Sequence, residues 1–220
     1  GPLDGVRVAW SHEAGFAPVD KEIQQTVAAA ASHLAELGTE VEQVELEFMA
    51  HHDYVEDHIH IFNFEAVPAI QKVSGGNFDE LASSTMWFVR TGAPTRDRYL
   101  EARAHMAKLK QQTGKFFRDY DALLIPSVPM PAFPHSNDQS LSGSSLIVDG
   151  RSVEKVHVTK TTSPWDYTGS PALSVPFAWN ADGLPLSVQV VGRRFDEATV
   201  LRIGSAVETG SMDSNRRPKL

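Results

Sequence analysis

The chain has 220 residues, of which 41% are hydrophobic and 22% charged, enough apolar material for a sizeable core and a composition opposed to wholesale disorder. Twenty basic against 28 acidic residues give a net charge of −8, a sign that disfavours binding to a phosphate backbone. The chain has no cysteine, which excludes disulfide scaffolds, thiolate-bound metals and thiol catalysis. No apolar run approaches the roughly 18–20 residues that cross a bilayer, so a cytoplasmic globular protein without membrane or nucleic-acid partners is expected. Gly1-Pro2 resembles the remnant of a cleaved tag, and the chain is expected to be part of a longer protein.

Residues 6–46 read as a strand–helix–strand unit. Val6, Val8 and Trp10 alternate with polar or small neighbours, as in a half-buried strand. After a loop holding Gly15 and Pro18, Asp20 is placed to cap a helix running to Leu37. Ile23, Val27, Ala30, Ala31 and Leu34 form one apolar stripe along it. Gly38 stops the helix, and Val44 and Leu46 mark a second strand with Val41 out of step. A parallel partner for the first strand is the expected geometry.

Residues 48–120 read as a helical layer. The first helix runs from Glu47 to Val67 and is expected to break at Pro68. A shorter helix spans Phe78 to Val89, and Thr95 caps a long one reaching Tyr120, weakened at Gly114. Residues 121–220 return to strands. Ala122 to Ile125 is a continuous apolar run, the signature of a strand buried on both faces. Pro126, Pro129, Pro131 and Pro134 then hold an extended surface segment. Asp149-Gly150 and Asp182-Gly183 mark two hairpins, the second pairing Ala172–Phe177 with Leu184–Val191. A final helix begins at Asp196, with Phe195 and Val200 placed as a hydrophobic staple. The whole chain, residues 1–220, reads as a single α/β unit with a mixed sheet flanked by helices.

Three clusters could carry chemistry. His51, His52, His58 and His60 are interleaved with Asp53, Glu56 and Asp57, and His52, Glu56 and His60 share a helix face. Two histidines and a carboxylate could hold zinc or iron. The outer pair, however, stands about 12 Å apart at 1.5 Å rise per residue, so a solvated charged face is the expected reading. Ser142-Gly143-Ser144-Ser145 offers serine hydroxyls, with Lys155, His157 and Lys160 the nearest bases in sequence. The flanks lack a nucleophile-elbow pattern, and a polar loop explains these serines. No phosphate-binding glycine motif and no zincin motif occurs. The third cluster is Thr159–Pro176. Thr161, Thr162, Ser163, Asp166, Tyr167 and Thr168 crowd hydroxyls and a carboxylate into a segment that enters a buried strand. Such a loop serves equally for ligand binding and for local side-chain-to-backbone bonds.

TSPWDYTGSPALSVPF, followed by DGLPLSVQVVGRRFDEATVLRIGSAVE, resembles the C-terminal signature of the amidase signature hydrolases. Leu3 to Trp10, Phe16 to Asp20, Leu37 to Glu42 and Tyr120 to Pro126 are similar to further family segments in the family's order. The resemblance implies an amidase-like fold and hydrolysis of a carboxylic amide with no cofactor. In that family a serine attacks, a second serine relays the proton and a lysine acts as base, all in a Gly/Ser-rich stretch upstream of everything matched here. No catalytic residue is therefore carried over to this chain, Ser142–Ser145 included.

The resemblance assigns these residues to scaffold and pocket. Thr161, Thr162, Ser163, Trp165, Asp166 and Thr168 are the expected substrate-pocket positions, with Gly169 and Pro171 in backbone roles. Asp166 stands where Asn is commoner. Thr159 replaces the acidic residue of amino-acid-specific relatives, which makes use of glutamine less expected. A small amide substrate is implied, together with either a missing N-terminal half or self-association to cover an exposed sheet edge. A non-catalytic half-fold that binds a partner is the alternative.

Overall fold

A computed structural model describes residues 3–13, 15, 18–50, 54–77, 81, 83–134 and 145–211. Strand β1 (Arg7–Trp10) leads into α1 (Lys21–Glu36) and β2 (Glu40–Gln43). The helical layer holds α2 (Glu47–Ala50), α3 (Tyr54–Ser74), α4 (Ser83–Thr91) and α5 (Arg96–Phe116). Strand β3 (Ala122–Pro126) follows, then the hairpin of β4 (Ser145–Val148) and β5 (Arg151–Glu154). A 3-10 turn (Lys155–Thr159) and α6 (Ser163–Thr168) precede β6 (Ala172–Trp179), β7 (Pro185–Gly192) and α7 (Glu197–Thr209).

Five strands form one mixed sheet in the order β2-β1-β3-β7-β6. β1 pairs in parallel with both β2 and β3, while β7 runs antiparallel to β3 and β6. Period-two alternation sends the two faces into different cores. Val8, Ala122, Leu124, Val188 and Val190 meet α1 through Val27 and Leu34, and α7 through Val200 and Ile203. On the other face Ala9, Leu123, Ile125 and Val191 meet Met49, Ile61, Leu109, Phe117 and Trp165. All five residues of β3 are buried, as a strand covered on both sides requires. Gly192 ends β7 against Val200 and Pro171, where a Cβ would run into the stiff Val200 side chain.

Several sequence expectations are corrected. The second strand is Glu40–Gln43 rather than Val44–Leu46: its ladder runs from the Glu40 N–H on the Val6 carbonyl to the Val44 N–H on the Trp10 carbonyl. As an edge strand it carries charged side chains, and Leu46 instead turns into the second core with Met49. Pro68 does not end α3 but lies inside it. It is exposed, and water on that side can satisfy the Phe64 carbonyl that Pro68 cannot. α5 stops at Phe116 rather than Tyr120, having passed through Gly114.

Asp20 occupies the N-cap position of α1 without capping it; its Oδ1 accepts the Asp149 backbone N–H at 2.7 Å and ties the β4–β5 turn to the helix. Phe195 makes no staple with Val200: a φ of 65° turns its ring outward, 77% exposed, over the Arg194 guanidinium. Phe78 to Glu80, at the start of the shorter helix, lie outside the described residues, and α4 begins at Ser83.

Candidate functional site

The stretch expected as a pocket loop is compact and mostly helical. The Thr159 hydroxyl bonds the Val156 carbonyl at 2.9 Å, and the Thr162 hydroxyl bonds the Thr159 carbonyl at 3.1 Å. These bonds fold the chain back on itself into α6, which has Pro164 in its first turn. Gly169 ends the helix at a φ of 69°, where its N–H returns to the Trp165 carbonyl. The Arg194 side chain packs on Gly169, and a Cβ there would lie 3.1 Å from its Nε.

Thr161 is the hub. With no exposure, it donates its hydroxyl to the Ser127 carbonyl at 2.7 Å. Its own carbonyl accepts from Trp165 Nε1 and Gln189 Nε2, each at 2.8 Å. Three elements, the end of β3, the middle of β7 and α6, are thus held by one residue. Thr168 completes the arrangement, its hydroxyl on the Trp165 carbonyl at 3.2 Å. Of the six expected pocket residues, Thr161, Ser163, Trp165 and Thr168 are buried, and only Thr162 and Asp166 present their side chains to solvent.

Residues that sequence reasoning did not connect with Thr161 surround this hub. Ser127 and Ser174 place their hydroxyls 2.8 Å apart between β3 and β6. Among the described residues no lysine or histidine bonds either hydroxyl, so this pair lacks the base a serine nucleophile needs. His58 of α3 stands edge-on to Tyr167 at 5.2 Å and stacks on Phe62 at 6.5 Å. Burial pulls the His58 imidazole below its ordinary value, opposed by the Asp166 carboxylate. Its Nδ1 is buried without a hydrogen-bond partner. Burial pushes the Tyr167 phenol up to about 12, with Glu65 and Asp166 adding to the effect and Arg103 opposing it.

A pH dependence follows from His58. Its folded value lies below its unfolded value of about 6.5, so the unfolded chain binds more protons as the solution is acidified. The stability present above that value is lost as pH falls through the lowered folded one. His58→Phe is therefore expected to flatten the fall in melting temperature between pH 7.5 and 5. An unchanged slope would mean that other groups set it.

The histidine-rich segment gives a different result from a metal site. His51, His52 and Asp53 lie outside the described residues. His60 Nε2 stands 3.4 Å from Glu56, and Asp57 turns inward to His105 Nδ1 at 3.0 Å. Among the described residues no group of three or more such side chains could hold a metal ion. Ser142 to Ser144 also lie outside the described residues, and Ser145 opens β4 opposite Glu154. Next to the hub, between α3 and the β4–β5 hairpin, is a cleft of about 460 Å³ whose lining includes Val55, Glu56, Val153, Glu154 and Lys160.

Comparison with known proteins places this architecture. AmiB2 of Mycobacterium tuberculosis is 32% identical over 144 residues, 64% of this chain and 30% of that protein. One component of the glutamyl-tRNA(Gln) amidotransferase of Brevibacillus brevis is 32% identical over 121 residues, 55% of this chain and 23% of that component. Among solved structures, a bacterial aryl acylamidase of the amidase signature family superposes with a TM-score of 0.79 at 20% identity, covering 96% of this chain and 44% of the acylamidase. A 6-aminohexanoate cyclic dimer hydrolase superposes with a TM-score of 0.82 at 20% identity, covering all of this chain and 47% of the hydrolase. The chain thus spans less than half the length of the proteins it matches. The amidase family profile matches residues 1–201, and this chain belongs to that family.

Proposed function

We propose that residues 1–220 form the C-terminal part of an enzyme that hydrolyses a small carboxylic amide, with the serine–serine–lysine machinery supplied by another segment. The observation that carries this reading is the family match over residues 1–201 in a chain without a serine–base pair among its described residues. In this reading α6 and its hub are the scaffold of the substrate side, and Thr162 and Asp166 are its exposed polar groups.

The sheet edges support a partner segment. β2 ends the sheet as a short strand carrying Glu40, Glu42 and Gln43, the charged composition that blunts an edge. β6, at the other end, is eight residues long and apolar, with Ala172, Ser174 and Pro176 exposed. Its outer side pairs with no strand among the described residues. A long apolar edge calls for cover, and the remainder of an amidase sheet is the cover this reading assigns to it.

The test is to read the native gene upstream of the codon for Leu3, express the whole reading frame, and measure amine release from neutral acyl anilides. Hydrolysis by the whole product, with none by residues 1–220, is the expected result. Turnover by residues 1–220 carrying Ser144→Ala and Ser145→Ala, or none by the whole product, would overturn the reading.

A further inference from the structure

Four residues close a polar ring at the hub. The Ser174 and Ser127 hydroxyls meet at 2.8 Å, the Ser127 carbonyl accepts from Thr161 at 2.7 Å, and the Thr161 carbonyl accepts from Gln189 Nε2 at 2.8 Å. Gln189 returns to Ser174 as its direct partner in the β6–β7 ladder. Residues opposite each other in a ladder send their side chains to the same face, with Cβ atoms about 5 Å apart. None of the four carries a charge. Ser127, Thr161 and Gln189 are buried and Ser174 is exposed, so the ring opens to solvent at one corner.

The ring keeps hydrogen-bonding capacity that its own members do not use. The Thr161 carbonyl can only accept, which sets the Gln189 amide with Nε2 toward it and Oε1 on the other branch. Oε1 makes no hydrogen bond among the described residues and keeps contact with solvent. Between the two serines one hydroxyl donates, and the other keeps its own O–H free. One acceptor and one donor thus stand side by side on the face that β6 and β7 share. A carboxamide presents the complement, a C=O and an N–H in one rigid plane. A carboxylate or an ester has no proton for Oε1 and sets oxygen against oxygen there. Ala172 and Pro176, exposed on either side of Ser174 at the strand period of two, offer apolar contact to the body of such a ligand.

We propose that this corner binds the carboxamide group of a neutral ligand, its N–H donating to Gln189 Oε1 and its carbonyl accepting the free serine O–H. The consequence for the reaction rests on the amidase reading. Ser174 lies in β6, whose outer side that reading assigns to the remainder of the enzyme. An amide held at Ser174 therefore stands at the boundary across which the attacking serine arrives, and Gln189 sets a preference for amides over esters of the same acid.

The experiment is a titration of isotope-labelled residues 1–220 at pH 7 with benzamide, methyl benzoate and benzoate, which share a benzoyl body and differ in the group beside the carbonyl. Benzamide is expected to shift the backbone amides of Ser174 and Gln189 and the Gln189 side-chain amide, and to bind about threefold or more tighter than either of the others. Two variants divide the contributions. Gln189→Met leaves the Thr161 carbonyl bonded to Trp165 and is expected to erase the preference for benzamide over the ester. The double variant Ser127→Ala with Ser174→Ala removes both hydroxyls, orphans neither, and is expected to weaken amide and ester alike by about threefold. Equal or tighter binding of the ester or the acid, shifts confined to other residues, a preference that survives Gln189→Met, or no saturation by benzamide below about 50 mM would overturn the proposal. The amidase reading fails separately, by the anilide assay on the whole reading frame. Benzamide selection in a protein that hydrolyses nothing would keep the corner and remove the enzyme, and hydrolysis without that selection would do the reverse.

Discussion

Replacing Trp165 by alanine is expected to lower the free energy of unfolding by about 3–5 kcal/mol, the range for emptying a buried aromatic site. The indole is only 3% exposed and belongs to the core formed by Ala9, Leu123 and Ile125 with α3 and α5. A six-residue helix cannot hold itself by backbone bonds alone, so its position depends on this anchor. Trp165→Phe separates the two contributions of the side chain. It keeps the aromatic character and most of the buried volume, and removes the Nε1 donor with part of the indole. The Thr161 carbonyl still accepts from Gln189, so no buried acceptor is orphaned and the expected cost is about 1 kcal/mol. Urea unfolding of both variants, monitored by far-ultraviolet circular dichroism, checks the ordering. An alanine variant within about 1 kcal/mol of the parent would mean that α6 does not depend on the second core for its place.

The same residues show how much a sequence can disclose. β3 was legible because four consecutive apolar residues in a strand have one simple explanation, burial on both faces. The two hairpins were legible because Asp-Gly favours positive φ: Asp149 and Gly150 both adopt it in the first turn, and Gly183 in the second. α6 was not, because a run of threonines and serines reads as a loop when hydroxyls compete for backbone groups. Here the hydroxyls of Thr159, Thr162 and Thr168 bond carbonyls three residues back, which is compatible with helical turns. Pro164 and Gly169, a proline at the start and a glycine just past the end, were the available signal.

The stretch from Thr159 to Pro176 was legible as one structured segment, but not in what each of its side chains does. Thr161 and Asp166 stand five positions apart in one hydroxyl-rich stretch, yet one is fully buried and the other exposed. The partners that define the hub, Ser127 and Gln189, lie 34 and 28 residues from Thr161. The cleft joins residues near 55 to residues near 155, a separation that no periodicity encodes. Phe195 shows the converse error. Its spacing from Val200 fits a staple, but the backbone sign at one residue, φ of 65°, decides where the ring goes.

Arg98→Met is expected to cost more than Asp57→Asn, although Asp57 is the buried partner. Asp57 has no exposure and lies between Arg98 Nη2 at 3.3 Å and His105 Nδ1 at 3.0 Å, where α3 packs on α5. Removing the guanidinium leaves a desolvated carboxylate without that cation, a cost of about 2–3 kcal/mol once the partial exposure of Arg98 is allowed for. Asp57→Asn removes the buried charge itself, and Arg98 at 26% exposure falls back on Glu56, Glu101 and water, for about 1 kcal/mol. The double variant Asp57→Asn with Arg98→Met should then be more stable than Arg98→Met alone, a coupling of about 1–2 kcal/mol that unfolding measurements on the full cycle would read. The coupling should persist in about 0.5 M salt, because screening acts weakly on a group that solvent does not reach. Additive costs, or a coupling that salt abolishes, would mean that the α3–α5 junction rests on its apolar contacts and that the ion pair only decorates it.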